Sequence, residues 1–531
     1  MRREFITSSI IIILLNLFIS FIYPPILWSM ILFGPLILVG MYDYFQDRQT
    51  IKRNFPIIGR FRYLFEAIRP EINQYFVESN TDGKPFSRNE RSLVYQRAKK
   101  NIDTLPFGTE MDLYQPGYEW VNHSMNPVHA NYEDMFVMVG GPDCTQKYKS
   151  SLLNISAMSY GSLSKNAILA LNGGAKDGHF AHNTGEGGIS DYHLKNGGDL
   201  IWQIGTGYFG CRNAEGVFCE TSFSEKASLP NVKMIEIKIS QGAKPGHGGI
   251  LPKEKVNEEI SKIRGVPMGI DIISPPSHTA FKTPFELIEF ISKLRKLSGG
   301  KPVGFKLCIG KRREFIAICK AMVDKNCYPD FITVDGGEGG TGAAPKEFSD
   351  HIGTPGVDAQ IFVHNTLVGF GIRKHIKIIV TGKITTGFDI VKRIALGADL
   401  CYAARSMMMA LGCIQARVCN TNHCPVGVAT QKPEYVHGLI VNNKRFRVKS
   451  YHHETIDSLA HILGTMGFYQ SYELRPWHVI RRVENSIIKN YSELYEYIKP
   501  NSLLKDDVPK SFERALATAD PNTFKQNLTT Y

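Results

Sequence analysis

Three closely spaced cysteines raise the first chemical question. Cys413, Cys419 and Cys424 lie within Gly412-Cys413-Ile414-Gln415-Ala416-Arg417-Val418-Cys419-Asn420-Thr421-Asn422-His423-Cys424-Pro425. Thiolates ligate iron–sulfur clusters, and a proline after the last cysteine also occurs in ferredoxin-type runs. Three ligands suggest a three-iron cluster, and a four-iron cluster needs one more, for which His423 and Cys401 are the candidates. Zinc is the other metal reading, but the spacing fits no common C-x2-C pattern. Inert buried thiols are the bland alternative, and they leave the polar Asn420–His423 stretch without a reason.

A second set of residues lies upstream in glycine-rich segments. Ser156-Ala157-Met158-Ser159-Tyr160-Gly161 offers small side chains that let a flat ligand approach the backbone. Glu186 is framed by glycines in Asn183-Thr184-Gly185-Glu186-Gly187-Gly188, and Gln203 falls in Trp202-Gln203-Ile204-Gly205-Thr206-Gly207. Lys238, Gln241 and Lys244 share one segment, where two ammonium groups and an amide suit a dicarboxylate. Lys306 interrupts the apolar run Phe305–Ile309, so it must be paired or face a ligand, because burying it alone is costly. Asp335–Gly342, with Gly337, Gly340 and Thr341, is richer still in glycine. Glycine-rich turns are common singly; this ordered series is hard to explain as turn chemistry.

The elements needed to position these residues are strands alternating with helices. Apolar runs near Leu152–Met158, Phe180–Asn183, Ile201–Gly205, Met234–Ile239, Val303–Cys308, Phe331–Asp335, Ile378–Thr381 and Leu400–Ala404 read as eight strands. Helical stretches such as Phe285–Leu297, Arg313–Val323 and Phe388–Leu396 separate several of them. This predicts an α/β fold, a (β/α)8 TIM barrel, with the chemistry at the C-terminal strand ends. Gly382-Lys383 and Ala404-Arg405 then occupy the usual phosphate position after strands seven and eight. A doubly wound sheet is the alternative, but no GxGxxG follows a first strand.

Outside the barrel the composition changes sharply. Phe5–Ile22 and Pro24–Met41 are two nearly continuous apolar runs, and a run of 18 helical residues rises about 27 Å, near the roughly 30 Å of a bilayer core. Arg2 and Arg3 precede the first run and Arg48, Lys52 and Arg53 follow the second, which places both termini on the cytoplasmic side. The expected location is therefore the cell membrane, with the catalytic domain cytoplasmic. A cleaved signal peptide fits poorly, since a second apolar run follows at once. Pro24, Pro25 and Pro35 leave open a single span with a re-entrant segment. The domain order predicted is a hairpin over 1–43, a basic amphipathic collar and extension over 44–150, the barrel with its cysteine loop over 151–435, and a mainly helical extension over 436–531. Lys52, Arg53, Arg60 and Arg62 in the collar suit anionic lipid, and equally an ordinary surface packed on the next domain. With 62 Lys and Arg against 50 Asp and Glu, the net charge is +12, yet nothing resembles a nucleic-acid module. Ten cysteines in 531 residues are too sparse for a disulfide scaffold.

Asn183–Gly188, Gln241-Gly242-Ala243-Lys244-Pro245-Gly246, Ser274-Pro275-Pro276, Gly339-Gly340-Thr341-Gly342-Ala343-Ala344-Pro345 and Cys424-Pro425-Val426-Gly427-Val428-Ala429-Thr430-Gln431 resemble, in order, the FMN-binding domain of glutamate synthase. The resemblance covers about residues 150–435, and its flanks, including Arg91–Lys99, look like the stand-alone, membrane-anchored members of that family. It implies a barrel holding FMN beside a 3Fe–4S cluster on Cys413, Cys419 and Cys424. It further implies hydride delivery to 2-iminoglutarate, formed from 2-oxoglutarate and ammonia, to give L-glutamate. By analogy Lys238, Gln241 and Lys244 hold the oxo-acid, Glu186 lies where ammonia arrives, and Lys306 sits against the flavin. Ser156, Ala157, Met158, Gln203, Gly337, Gly340, Thr341 and Ala404 are expected around the cofactor, with Gly382, Lys383 and Arg405 on its phosphate.

The departures from the family are specific. Full-length members open on a glutaminase with an N-terminal nucleophilic cysteine, whereas this sequence opens on an apolar hairpin. Ammonia is therefore expected free or from a separate amidotransferase, and electrons from an external ferredoxin-like donor or reductase. His247 stands where full-length members usually carry Glu. Two other readings remain: a related FMN and iron–sulfur enzyme acting on another oxo-acid or amine, such as N-methylglutamate, and a non-enzymatic membrane scaffold.

Overall fold

The computed structural model describes residues 1–525. The last six residues of the expected C-terminal extension lie outside the described residues. Two compact units divide between Arg88 and Asn89, so that division falls within the stretch read from the sequence as one collar and extension over 44–150.

The first unit is helical. α1 (Arg2–Ser20) and α2 (Met30–Phe45) are joined by a 3-10 turn over Pro24–Ser29. Arg2–Ser20 and Pro24–Phe45 are long and apolar enough to cross a membrane, by length and composition, and their side chains are mostly exposed. A polar side chain in an apolar span must find a partner. Asn16 does, accepting from the Ser29 hydroxyl at 2.5 Å and donating to the Ile12 carbonyl at 3.0 Å. α3 (Gly59–Ile72) follows, and the Arg60 guanidinium at its start donates to both oxygens of buried Asp43 at 2.8 Å.

The second unit holds the barrel. Its strands are β1 (Leu153–Ile155), β2 (His182–Asn183), β3 (Leu200–Ile204), β4 (Val232–Lys238), β5 (Val303–Leu307), β6 (Phe331–Asp335), β7 (Lys377–Thr381) and β8 (Leu400–Ala403). All pair in parallel, and β8 closes on β1 with Cys401 opposite Leu153 and Ala403 opposite Ile155. Each overlaps a run expected from the sequence, with β3, β4 and β7 beginning one or two residues earlier, and the expected TIM-like α/β fold is the one present. Strands covered on both faces read as continuous apolar runs, and every residue of β3, β5 and β6 is buried.

Local chemistry sets the helix starts. Thr283 and Glu286 form a capping box ahead of the helix Pro284–Leu297, and Thr386 and Asp389 form another ahead of Gly387–Ala395. Beyond the barrel, a helix of 25 residues, Val441–Thr465, packs on the helix Lys165–Gly178. The C-terminal extension is otherwise not purely helical. Val479–Glu484 and Ile487–Asn490 form an antiparallel pair, and the first also pairs with Glu119–Val121. These strands are short and largely exposed, so they leave little period-two pattern in the stretch read from the sequence as mainly helical.

Candidate active site

The inward faces of β2, β3, β4 and β6 build a polar floor. Glu236 accepts from Asn183 Nδ2 at 2.8 Å, Gln203 Nε2 at 2.6 Å and Thr333 Oγ1 at 2.6 Å. A buried carboxylate is tolerable when satisfied in this way. Gln203 thus spends its amide on Glu236 inside the barrel.

One step above this floor, two lysines stand directly opposite each other. Lys238 on β4 is in register with Lys306 on β5. Like charges so placed repel, and each has its own carboxylate. Lys238 Nζ lies 2.7 Å from Glu186 Oε1, and Lys306 Nζ lies 3.0 Å from Asp335 Oδ2. Burial pulls the Lys306 pKa down, but Asp335, Glu236 and Glu186 outweigh it and hold it above its ordinary value. Asp335 Oδ2 also accepts from the Gly242 amide at 3.0 Å, tying the loop after β4 to the end of β6.

Glu186 is the centre of the arrangement. Its carboxylate lies against Gly205 and Gly249, where any side chain would collide with it. At Gly205 the contact reaches the Glu186 Cβ, a close approach that favours glycine, while a side chain at Gly249 would push the carboxylate aside. Burial raises its pKa, but Lys238, Arg264 and Lys244 together bring it below the usual carboxylate range. The cations show the reverse strain. Burial, reinforced by Lys238, lowers Lys244 to about 8, and burial lowers Arg264 to about 10, with Glu186 opposing in both cases. Three cations around one carboxylate leave two positive charges uncompensated in a partly desolvated space. Gln241 and His247 line the cleft beside Glu186 and Lys238, so the residues expected from the β4 loop do converge.

Arg264 was not singled out from the sequence. It ends the helix Glu258–Arg264, is 5% exposed, and donates through Nη2 to the Tyr160 carbonyl at 3.1 Å. Its Nε has no hydrogen-bond partner. The signal for it is tertiary: an arginine at a helix C-terminus ordinarily reads as a surface charge. His278 was also missed. It bonds the Lys238 carbonyl at 2.8 Å and the Tyr208 hydroxyl at 3.0 Å, and burial lowers its pKa to about 4, so it braces β4 as a neutral ring.

The expected phosphate corner is assembled from loops after β6, β7 and β8. Arg405 donates to the Glu338 carbonyl at 2.8 Å, and Gly340 packs against the same guanidinium. Lys383 has a φ of +53° and Gly382 of +122°, a left-handed pair that turns the chain sharply past Thr381. The Thr381 hydroxyl is 3.2 Å from Ser156 Oγ, bringing the β1 and β7 ends together, with Ala157 and Met158 next in line. Ala404 stands at the N-cap position of the helix Arg405–Leu411 without a side-chain capping bond. Gly337 is bonded to the Thr354 carbonyl, and Thr341 is exposed at the rim. A larger cavity of about 380 Å³ lies at the opposite end, beside Phe180 and Asp199, which precede β2 and β3; this fold does not place chemistry there.

A family model, the conserved region in glutamate synthase, matches residues 117–469. The chain belongs to the glutamate synthase family. A glutamate synthase large subunit-like protein, YerD of Bacillus subtilis (strain 168), is 36% identical over 92% of this chain and 99% of its own length. An archaeal glutamate synthase [NADPH] of Methanocaldococcus jannaschii is 38% identical over 60% of each chain. The glutamate synthase [NADPH] large chain of Bacillus subtilis is 35% identical over 52% of this chain but only 18% of its own. The family match takes in every barrel strand and the three cysteines.

In this member of the glutamate synthase family the cysteine loop is a separate, partly buried corner. Burial raises Cys413 to about 11, and burial with the neighbouring Cys424 raises Cys419. All three thiols lie within electrostatic reach of one another. Among the described residues no three such side chains close on a single metal ion. A zinc-type site would require that, whereas each iron of a cluster takes its own thiolate, so cluster ligands stand further apart. Of the candidate fourth ligands, Cys401 is buried in the barrel wall on β8, and exposed His423 bonds Thr421 and Lys432.

Proposed function

We propose that this chain is a membrane-attached oxidoreductase that reductively aminates 2-oxoglutarate to L-glutamate. The observation that carries this reading is the excess of two positive charges around Glu186. A dicarboxylate supplies the missing charge, and it relieves the depressed pKa values of Lys244 and Arg264. Condensation of ammonia with the keto carbon releases water; a hydride and a proton then convert the C=N bond to CH–NH. In this scheme Lys238, Lys244, Arg264 and Gln241 bind and orient the carboxylates. Glu186, paired with Lys238, holds the incoming nitrogen and accepts a proton at its carboxylate oxygen. Asp335 keeps Lys306 charged and fixed at the end of β5, where it would lie against the flavin.

FMN fits the corner built by Ser156–Met158, Gly337, Gly340, Thr341, Gly382-Lys383 and Ala404-Arg405, where a left-handed turn and two cations suit a phosphate and small residues suit a flat ring. When bound and reduced, it would supply the hydride. Cys413, Cys419 and Cys424 fit a 3Fe–4S cluster in being three partly buried thiols within electrostatic reach of one another. Ammonia and electrons would come from outside the chain, the latter from a ferredoxin-like protein or reductase. His247, edge-on to Phe348 at 5.6 Å beside the cleft, favours a second substrate reading within the same class, another oxo-acid or amine.

Membrane attachment is supported by the two apolar helices and by α3. Phe61, Leu64, Phe65, Ile68 and Ile72 recur at three- and four-residue spacing and are exposed, with Arg60, Arg62 and Arg69 nearby. Such a helix suits a lipid interface. This supports the cell membrane as the location, with the barrel on the cytoplasmic side.

The deciding experiment is an absorption and EPR spectrum of detergent-purified protein, then dithionite reduction with 2-oxoglutarate and ammonium. Flavin bands, a three-iron signal and flavin reoxidation only with both substrates are expected. Both cofactors without reoxidation would move the function to another substrate; neither cofactor in protein made anaerobically with iron would sink the enzyme reading.

A further inference from the structure

Lys255 closes the short turn Lys253–Lys255 and is 3% exposed. Its ammonium donates to the carbonyls of Ser162 at 3.2 Å and Ala429 at 2.9 Å. Ala429 belongs to the segment that follows Cys424. The turn is tied to the cysteine loop a second time, by Asn422 Nδ2 donating to the Glu254 carbonyl at 2.7 Å, while Thr430 Oγ1 bonds the Asn422 carbonyl at 2.6 Å. The Cys419 and Cys424 thiols lie within electrostatic reach of this ammonium, and no carboxylate among the described residues is within reach of it. A buried ammonium held only by carbonyls is poorly compensated. Compensation arrives when those thiols become the thiolates of an anionic cluster.

We propose that Lys255 is a positioning residue that supplies the fixed positive charge beside the iron–sulfur cluster and raises its reduction potential, an inference that rests on the cluster reading above. One electron enters from the external reductant and no proton is taken up, so reduction adds one negative charge to the cluster. A buried cation stabilises that charge more than an exposed one does, and such neighbours are among the means by which a protein tunes a cluster. The segment between β4 and β5 therefore serves two places: Arg264 reaches Glu186 and Lys255 reaches the cysteine loop.

The test is an EPR-monitored redox titration of the detergent-solubilised full chain, with iron content measured alongside. K255Q should lower the midpoint potential. K255R should restore it, and K253Q, which removes a charge from an exposed position two residues away, should leave it at the wild-type value. Loss of iron in K255Q but not in K255R would also support charge compensation. A potential unmoved in K255Q, an equal shift in K255Q and K255R, or loss of iron in both would overturn the proposal in favour of a structural tie. A wild-type protein without a three-iron signal would instead remove the cluster reading itself.

Discussion

Lys306 and Asp335 show how a charge is kept inside a barrel strand. Both are under a tenth exposed, and their contact is 3.0 Å. Replacing a buried pair with apolar groups can be nearly neutral, whereas removing one partner leaves an uncompensated charge. Lys306→Met is therefore expected to cost about 3–5 kcal/mol in denaturant unfolding, and adding Asp335→Asn should recover part of it. Lys244 gives a pH prediction. With its folded pKa near 8 against an ordinary 10.5, it sheds its proton earlier in the folded state. In the ligand-free protein its burial penalty is full below pH 8 and is relieved as pH rises from 8 towards 10.5. Ligand binding runs the other way, since the charged form holds the carboxylate. Calorimetric affinity for 2-oxoglutarate should fall as pH rises through 8, and Lys244→Arg should flatten that fall between pH 7 and 9.

At the scale of elements, the loops after β4 and β6 meet at a point where neither can carry a side chain. A Cβ on Gly242 would collide with the Gly336 carbonyl, and the Gly242 amide is bonded to Asp335. Gly242→Ala should separate the oxo-acid loop from the flavin loop while leaving the barrel intact. The expected result is unchanged far-UV circular dichroism, a lower melting temperature and at least a tenfold loss of substrate-dependent flavin reoxidation. Gly246→Ala is the comparison. That glycine has a φ of +74° but nothing within 4 Å, so only a backbone strain of about 1 kcal/mol is expected.

For the whole molecule, the hairpin and α3 differ in how they would hold a membrane. Two spanning helices resist salt and alkali, while an interfacial basic helix is released by salt. The full chain is expected to stay in the membrane pellet through 1 M salt and alkaline carbonate and to dissolve only in detergent. Release by salt alone would show that the hairpin does not span.

The eight strands were legible because parallel strands buried on both faces are short apolar runs, and their glycine-rich ends mark where a barrel builds loops. Glu186, Lys238 and Lys244 were legible for the same reason: each sits on or just past a strand end whose direction the fold fixes. The pairing of Lys306 with Asp335 was foreseeable only as a need, since burial demands a partner without naming it. Arg264, His278 and Lys255 were not legible. They lie in the long segment between β4 and β5, whose path depends on contacts with Glu186, Tyr208 and the cysteine loop. The strand pair after Val479 was missed because it is paired with Glu119–Val121, more than 300 residues earlier. Periodicity along the chain determined the barrel and the ends of its strands. Charge balance, which depends on distance through space, was decided only by the tertiary structure.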